Sequence, residues 1–96
     1  MRLMNSMHIR HWAEDDRPRE RLIASGPAGL SDAELIAVLL GQGTRGMSAV
    51  DLARALLDQF GGIRSTLNAS HTELTTFRGV GYAKAAILYA ARELSL

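Results

Sequence analysis

The segment Thr72-Glu73-Leu74-Thr75-Thr76-Phe77-Arg78-Gly79-Val80-Gly81-Tyr82-Ala83-Lys84-Ala85-Ala86-Ile87-Leu88 decides how this chain is read. One short helix ends at Phe77–Arg78, three residues turn the chain, and a second helix begins at once near 82 and runs to 94. Gly79 follows a helix and is placed to take the left-handed backbone that costs other residues energy. Val80 is apolar in the middle of a tight turn, so it is expected to point back between the two helices. Gly81 opens the second helix with no side chain over its backbone. A helix start of this kind presents free N–H groups and the positive end of the helix dipole, and it holds an anion without needing a lysine. Lys84 stands one turn in and can add its ammonium to the same anion. On the other face Ala83, Ala86, Ile87, Ala90 and Leu94 are expected to form the packing stripe.

Working outward, three helix starts carry Ser with an acid three residues on: Ser31 with Glu34, Ser48 with Asp51, and Ser70 with Glu73. In such a box the Ser oxygen accepts from a backbone N–H and the acid reaches back to the cap residue's own N–H. The second, with Asp for Glu, is the weaker match. The starts predict helices over 31–40, 48–60 and 70–77, beside the one over 82–94. The first, containing Glu34-Leu35-Ile36-Ala37-Val38-Leu39-Leu40, is apolar nearly all round and is expected to be the buried central helix. The second places Ala49, Ala53, Leu56, Leu57 and Phe60 on one stripe, with Asp51, Arg54 and Asp58 opposite, and Gly61-Gly62 ends it. A short helical turn is expected at 63–67. Pro18 suits a first helical turn, and Gly26-Pro27 stops the segment 19–25. No run alternates with period two long enough to make a strand. The expected fold is all-α, a compact bundle of about five short helices over residues 16–96, with the two-helix turn motif at 70–94. Residues 1–15 read as a flexible arm. Three Met within residues 1–7 suggest alternative starts or a cloning remnant, and residues 1–6 are left out of the reading.

Composition narrows the function classes. At 96 residues with 47% apolar and 22% charged, the chain suits one packed domain and not a disordered tail. The net charge of +1 advertises no nucleic-acid or membrane partner through a global field, so such contact must come from local geometry. Its basic residues are ten Arg and a single Lys, Lys84. Absence of Cys excludes disulfides, thiolate zinc sites, iron–sulfur clusters and cysteine nucleophiles. The apolar runs are too short to span a bilayer and the N-terminus lacks a secretory core, so a cytoplasmic location is expected, without membrane partners.

Other motifs admit plainer readings beside the sharper ones. Gly41-Gln42-Gly43-Thr44-Arg45-Gly46 matches the dinucleotide pattern, but it follows a helix and has no strand around it. It also lacks the Lys-Ser/Thr pair of a P-loop. A milder reading makes Gly43, Thr44, Arg45 and Ser48 a second phosphate site at a helix start. A flexible interhelical connection is the simpler alternative. His8 and His11 have helical ligand spacing but no third ligand, which fits an arm better than a zinc site. Trp12 reads as an anchor for that arm. His71 follows a capping Ser and is expected to be exposed. The mixed run at 15–21 reads as a solvated face. No catalytic constellation, metal site or cofactor site is expected.

Gly79, Val80, Gly81, Lys84 and Ala85 resemble the helix-hairpin-helix motif, with Tyr82 where that motif often has Pro. The resemblance implies contact with the DNA backbone irrespective of sequence, through Arg78, Gly79, Val80, Gly81, Tyr82, Ala83 and Lys84. More widely, the stretches 17–22 and 30–40 together with this turn are similar to the N-terminal region of the RadC family. In that family the helical region precedes a metal-dependent, peptidase-like domain of the JAB/MPN type, whose zinc motif is not in this sequence. The family is traditionally labelled as DNA repair. The expectation is a DNA-binding module without catalysis of its own, partnered by DNA and by a C-terminal domain. The alternative is a protein-interaction or dimerisation module that positions the C-terminal domain, with apolar exposure at Tyr82, Leu88 and Tyr89.

Overall fold

The structure, a computed structural model, describes residues 17–96. It shows six α-helices there: α1 over 17–25, α2 Asp32–Leu40, α3 Ala49–Phe60, α4 Ile63–Asn68, α5 His71–Thr75 and α6 Tyr82–Leu94. A 3-10 turn, Pro27–Gly29, joins α1 to α2. Among the described residues there is no strand, so the all-α bundle expected from the sequence is what forms. No helix there is long and apolar enough to cross a membrane. The proposed arm over 1–15, with His8, His11 and Trp12, lies outside the described residues.

Local chemistry explains the boundaries. Ser31 Oγ accepts the Glu34 N–H at 3.2 Å, while Glu34 Oε1 accepts the Ser31 N–H at 2.9 Å. Ser70 and Glu73 repeat the exchange at 3.0 and 2.8 Å. In α3 Ser48 accepts from Asp51 N at 3.1 Å, without the reciprocal bond of the other two. Each cap contributes about 1 kcal/mol, which matters in a small core. Gly61, at φ +91°, closes α3 in the left-handed region, as its place after Phe60 predicts. Helix α5 stops at Thr75, two residues short of the expected 77, and single turns through Phe77 N to Leu74 O and Val80 N to Phe77 O carry the chain on.

The core is built from α2, α3, α5 and α6 around Ile36, Leu52, Leu56, Leu74 and Leu88, with Ala33, Ala37, Ala49, Ala53 and Ala85 between them. These small residues let the helices approach closely. Thr66 is fully buried, and its hydroxyl is satisfied by donating to Gly62 O at 2.6 Å. In α3 the expected stripe is present, shifted toward Leu52, with Leu57 and Phe60 at its edge. Two expectations are corrected. Helix α2 is not surrounded: Ala33, Ile36, Ala37 and Leu40 are buried, but Leu39 is exposed, because so few helices cannot enclose one of their own. In α6 the buried positions are Ala85 and Leu88, whereas Ala83, Ala86, Ile87, Ala90 and Leu94 face solvent. The helix is apolar on several faces, so its composition does not fix the rotation. The buried Val80 just before it does.

At the opposite end, Arg21 donates to Glu34 and to Gly29 O, tying α1 to the turn and to the start of α2. The Ser31 backbone N–H, bonded to the Glu34 carboxylate, is the main cause holding that carboxyl below its ordinary pKa. The Ser31 hydroxyl and the Arg21 and Arg54 charges add to this, while partial desolvation opposes it.

Candidate nucleic-acid interface

The turn between α5 and α6 has the backbone its residues predict. Gly79 sits at φ +95°, Val80 is 3% exposed, and Gly81 is extended at the N-cap of α6. No side chain caps this helix and no acid occupies its first turn. Ala85 N donates to Gly81 O, so the first-turn N–H groups of Tyr82, Ala83 and Lys84 are those a helix leaves without intrahelical partners. Gly81 and Ala83 are exposed, and Lys84 is half-buried beside them. Tyr82 is 77% exposed, and its ring meets the edge of the His71 ring at 5.4 Å between centroids. His71 is therefore partly covered, less open than its place after a cap residue suggests.

The second glycine segment closes a turn through its own backbone hydrogen bonds. Thr44 and Met47 exchange two backbone bonds of 2.9 Å around Arg45-Gly46, with Gly46 at φ +81°. Gly43 is sterically required, since a Cβ there would lie 2.0 Å from Met47 O. This folded turn packs on the first one. A Cβ on Gly79 would meet Thr44 Cγ2 at 3.0 Å and Leu52 Cδ1 at 3.2 Å. The structure thus brings Thr44 and Arg45 next to Gly79 and Arg78, and all but Gly79 line one groove with Gly46, Met47, Ala55 and Phe77. In sequence the two segments read as separate sites. Contact between residues 35 apart leaves no local periodicity, and paired glycine requirements were the only available signal.

Ser48 is not part of this groove. Its hydroxyl caps α3, and it lines a different, charged groove with Arg17, Arg21, Glu34, Asp51 and Arg54. Asp51 in the first turn of α3 further opposes an anion at that helix start. Charge is divided accordingly. Arg21 and Arg54 are paired with Glu34 and Asp51, whereas no ion pair forms at Arg45, Arg78 or Lys84 among the described residues. No group of three or more His, Asp or Glu there is placed to hold a metal ion.

Comparison with known proteins gives the family. The model of the UPF0758 N-terminal family matches residues 9–86. A UPF0758 protein of Marinomonas sp. (strain MWYL1) is 53% identical over 89 residues, covering 93% of this chain and 40% of that protein. One of Dechloromonas aromatica (strain RCB) is 58% identical over 90 residues, covering 93% and 40%. One of Aeromonas hydrophila is 51% identical over 88 residues, covering 92% and 39%. The chain spans about 40% of the length of these relatives. No solved structure matches it. The chain belongs to the UPF0758 N-terminal family, a RadC-family N-terminal region.

Proposed function

We propose that this domain is a non-catalytic module that holds DNA by its phosphates, without reading sequence, through a helix-hairpin-helix formed by α5, the 79–81 turn and α6. The observation that carries the reading is the uncapped start of α6, where exposed Gly81 leaves the N–H groups of Tyr82, Ala83 and Lys84 open to an anion. Lys84 supplies one charge to that phosphate and Arg78 a second across the turn. Tyr82 stands where the motif often has Pro, and its exposed ring can reach the same phosphate. In the longer relatives such a grip would position the remaining part of the protein on DNA, in the cytoplasm, as the RadC resemblance implies. With few cationic contacts the affinity is weak. Fluorescence anisotropy with a labelled duplex across a salt series tests this. Lys84→Gln is expected to lower the slope of log K against log salt by about one and to weaken all sequences alike. Binding that depends on sequence, or a slope unchanged by Lys84→Gln, would count against it.

A second reading, protein contact, is favoured by the outer face of α6. Tyr82, Tyr89 and Leu94 are 77%, 49% and 87% exposed, and with Ala86 and Ala90 they line a mostly apolar groove bordered by His71 and Glu93. Leu88, expected on that face, is fully buried and takes no part. A concentration-dependent dimer in light scattering would support this reading.

A further inference from the structure

We infer that the groove between the 44–47 turn and Phe77–Arg78 is a pocket for one nucleotide of single-stranded DNA, the base against Met47 and Phe77 and the flanking phosphate between Arg45 and Arg78. This rests on the reading of the neighbouring turn as a DNA-backbone contact, and extends it from phosphate to base. The groove is of about 440 Å³, within the size range of small-molecule sites. Its residues differ from those of a bare phosphate cradle. Met47 is 38% exposed and Phe77 half-buried, and with Ala55 they make an apolar surface that a phosphate alone has no use for. The same groove is lined by Thr44, with a hydroxyl, and by the exposed Arg45 and Arg78, neither held by a carboxylate among the described residues. A nucleotide has this division, one apolar face beside one anionic group, and unstacked bases on apolar side chains with Arg at the backbone are the usual mode of single-strand binding. A paired base in a duplex cannot present its face in this way.

The groove is also built and not incidental. Gly43 allows the 44–47 turn to close on Met47 O, and Gly79 allows Thr44 to rest against the second turn. Arg45 and Arg78, 33 positions apart, come to share one groove through those two close approaches. On the far side of Arg78, Glu73 lines a neighbouring groove, and its carboxylate is occupied with the Ser70 N–H.

The test uses the 96-residue chain and a fluorescent oligothymidylate, the same oligomer with abasic sites, and a duplex. Arg45→Ala and Met47→Ala are each expected to weaken oligothymidylate binding about fivefold or more, the lower range for one stacked base. The abasic oligomer is expected to bind the parent chain about as weakly as the thymidylate binds Met47→Ala, and Met47→Ala is expected to leave duplex binding unchanged. Circular dichroism checks that each variant is folded. Equal binding of abasic and thymidylate oligomers overturns the pocket. If Lys84→Gln weakens binding while Arg45→Ala and Met47→Ala do not, the pocket fails and the backbone contact stands. No binding of any oligomer overturns both.

Discussion

The two glycine turns of this domain, 43–46 and 79–81, look alike in sequence and do different work. Each contains two glycines, each precedes a helix, and each has a basic residue beside it. At the first, Ser48 supplies a hydroxyl to the Asp51 N–H and an acid stands in the opening turn of α3. That helix start has its Asp51 N–H taken by the cap and a carboxylate where an anion would have to sit. At the second, Gly81 supplies nothing and α6 opens with Tyr, Ala and Lys. Glycine spacing therefore marks where backbone comes close, while the cap residue decides whether a helix start is left to bind something else.

The comparison is sharpest in the response of each glycine to a methyl group. Gly43→Ala places Cβ on Met47 O, which cannot move without opening the turn, and is expected to destabilise the domain by about 3 kcal/mol. Gly79→Ala suffers a left-handed φ and contact with Thr44, and is expected to lose about 1–2 kcal/mol. Gly81→Ala meets nothing within 4 Å, and its φ of −87° suits any residue. It is expected to fall within about 0.5 kcal/mol of the parent. Urea midpoints rank the three, and a different order would break the account of how the turns pack.

The next effect converts one turn into the other. Gly81→Asp gives α6 the kind of cap α3 has, so DNA affinity is expected to fall on the order of tenfold while stability holds or rises slightly. Unchanged affinity in anisotropy would show that the α6 start is not the contact. Conversely, Ser48→Ala is expected to lower stability by about 1 kcal/mol and leave DNA binding untouched.

The smallest effect lies away from both turns, at Glu34. Its carboxyl has a lowered pKa in the folded state, so its contribution is complete above the unfolded pKa and is lost as pH falls through the lower folded value. Urea midpoints of the parent are expected to drop over that acidic window by more than those of Glu34→Gln. Parallel curves would mean that the Ser31 and Arg21 bonds do not favour the charged form.

Much of this was legible in the residues. Ser31, Ser48 and Ser70 announce helix starts because capping is local chemistry, and Gly61 announces the end of α3 for the same reason, whereas α5 ends at Thr75, before the left-handed Gly79. The rotation of α6 was not legible. Ala83, Ala86 and Ala90 are as apolar as Ala85, and only the packing of Val80 and Leu88 selects the buried face. The groove was not legible either. Thr44 beside Gly79 is a tertiary contact, and nothing in the order of residues pairs Arg45 with Arg78.

In the proposed function, the uncapped start of α6 holds phosphate. An amide NMR titration of the labelled domain with a short duplex at low salt tests it directly. Shifts confined to Gly79, Gly81, Tyr82, Ala83 and Lys84, fading as salt rises and sparing Ala49 to Asp51, are the predicted result. No shifts at millimolar DNA, or shifts centred on the start of α3, would contradict it.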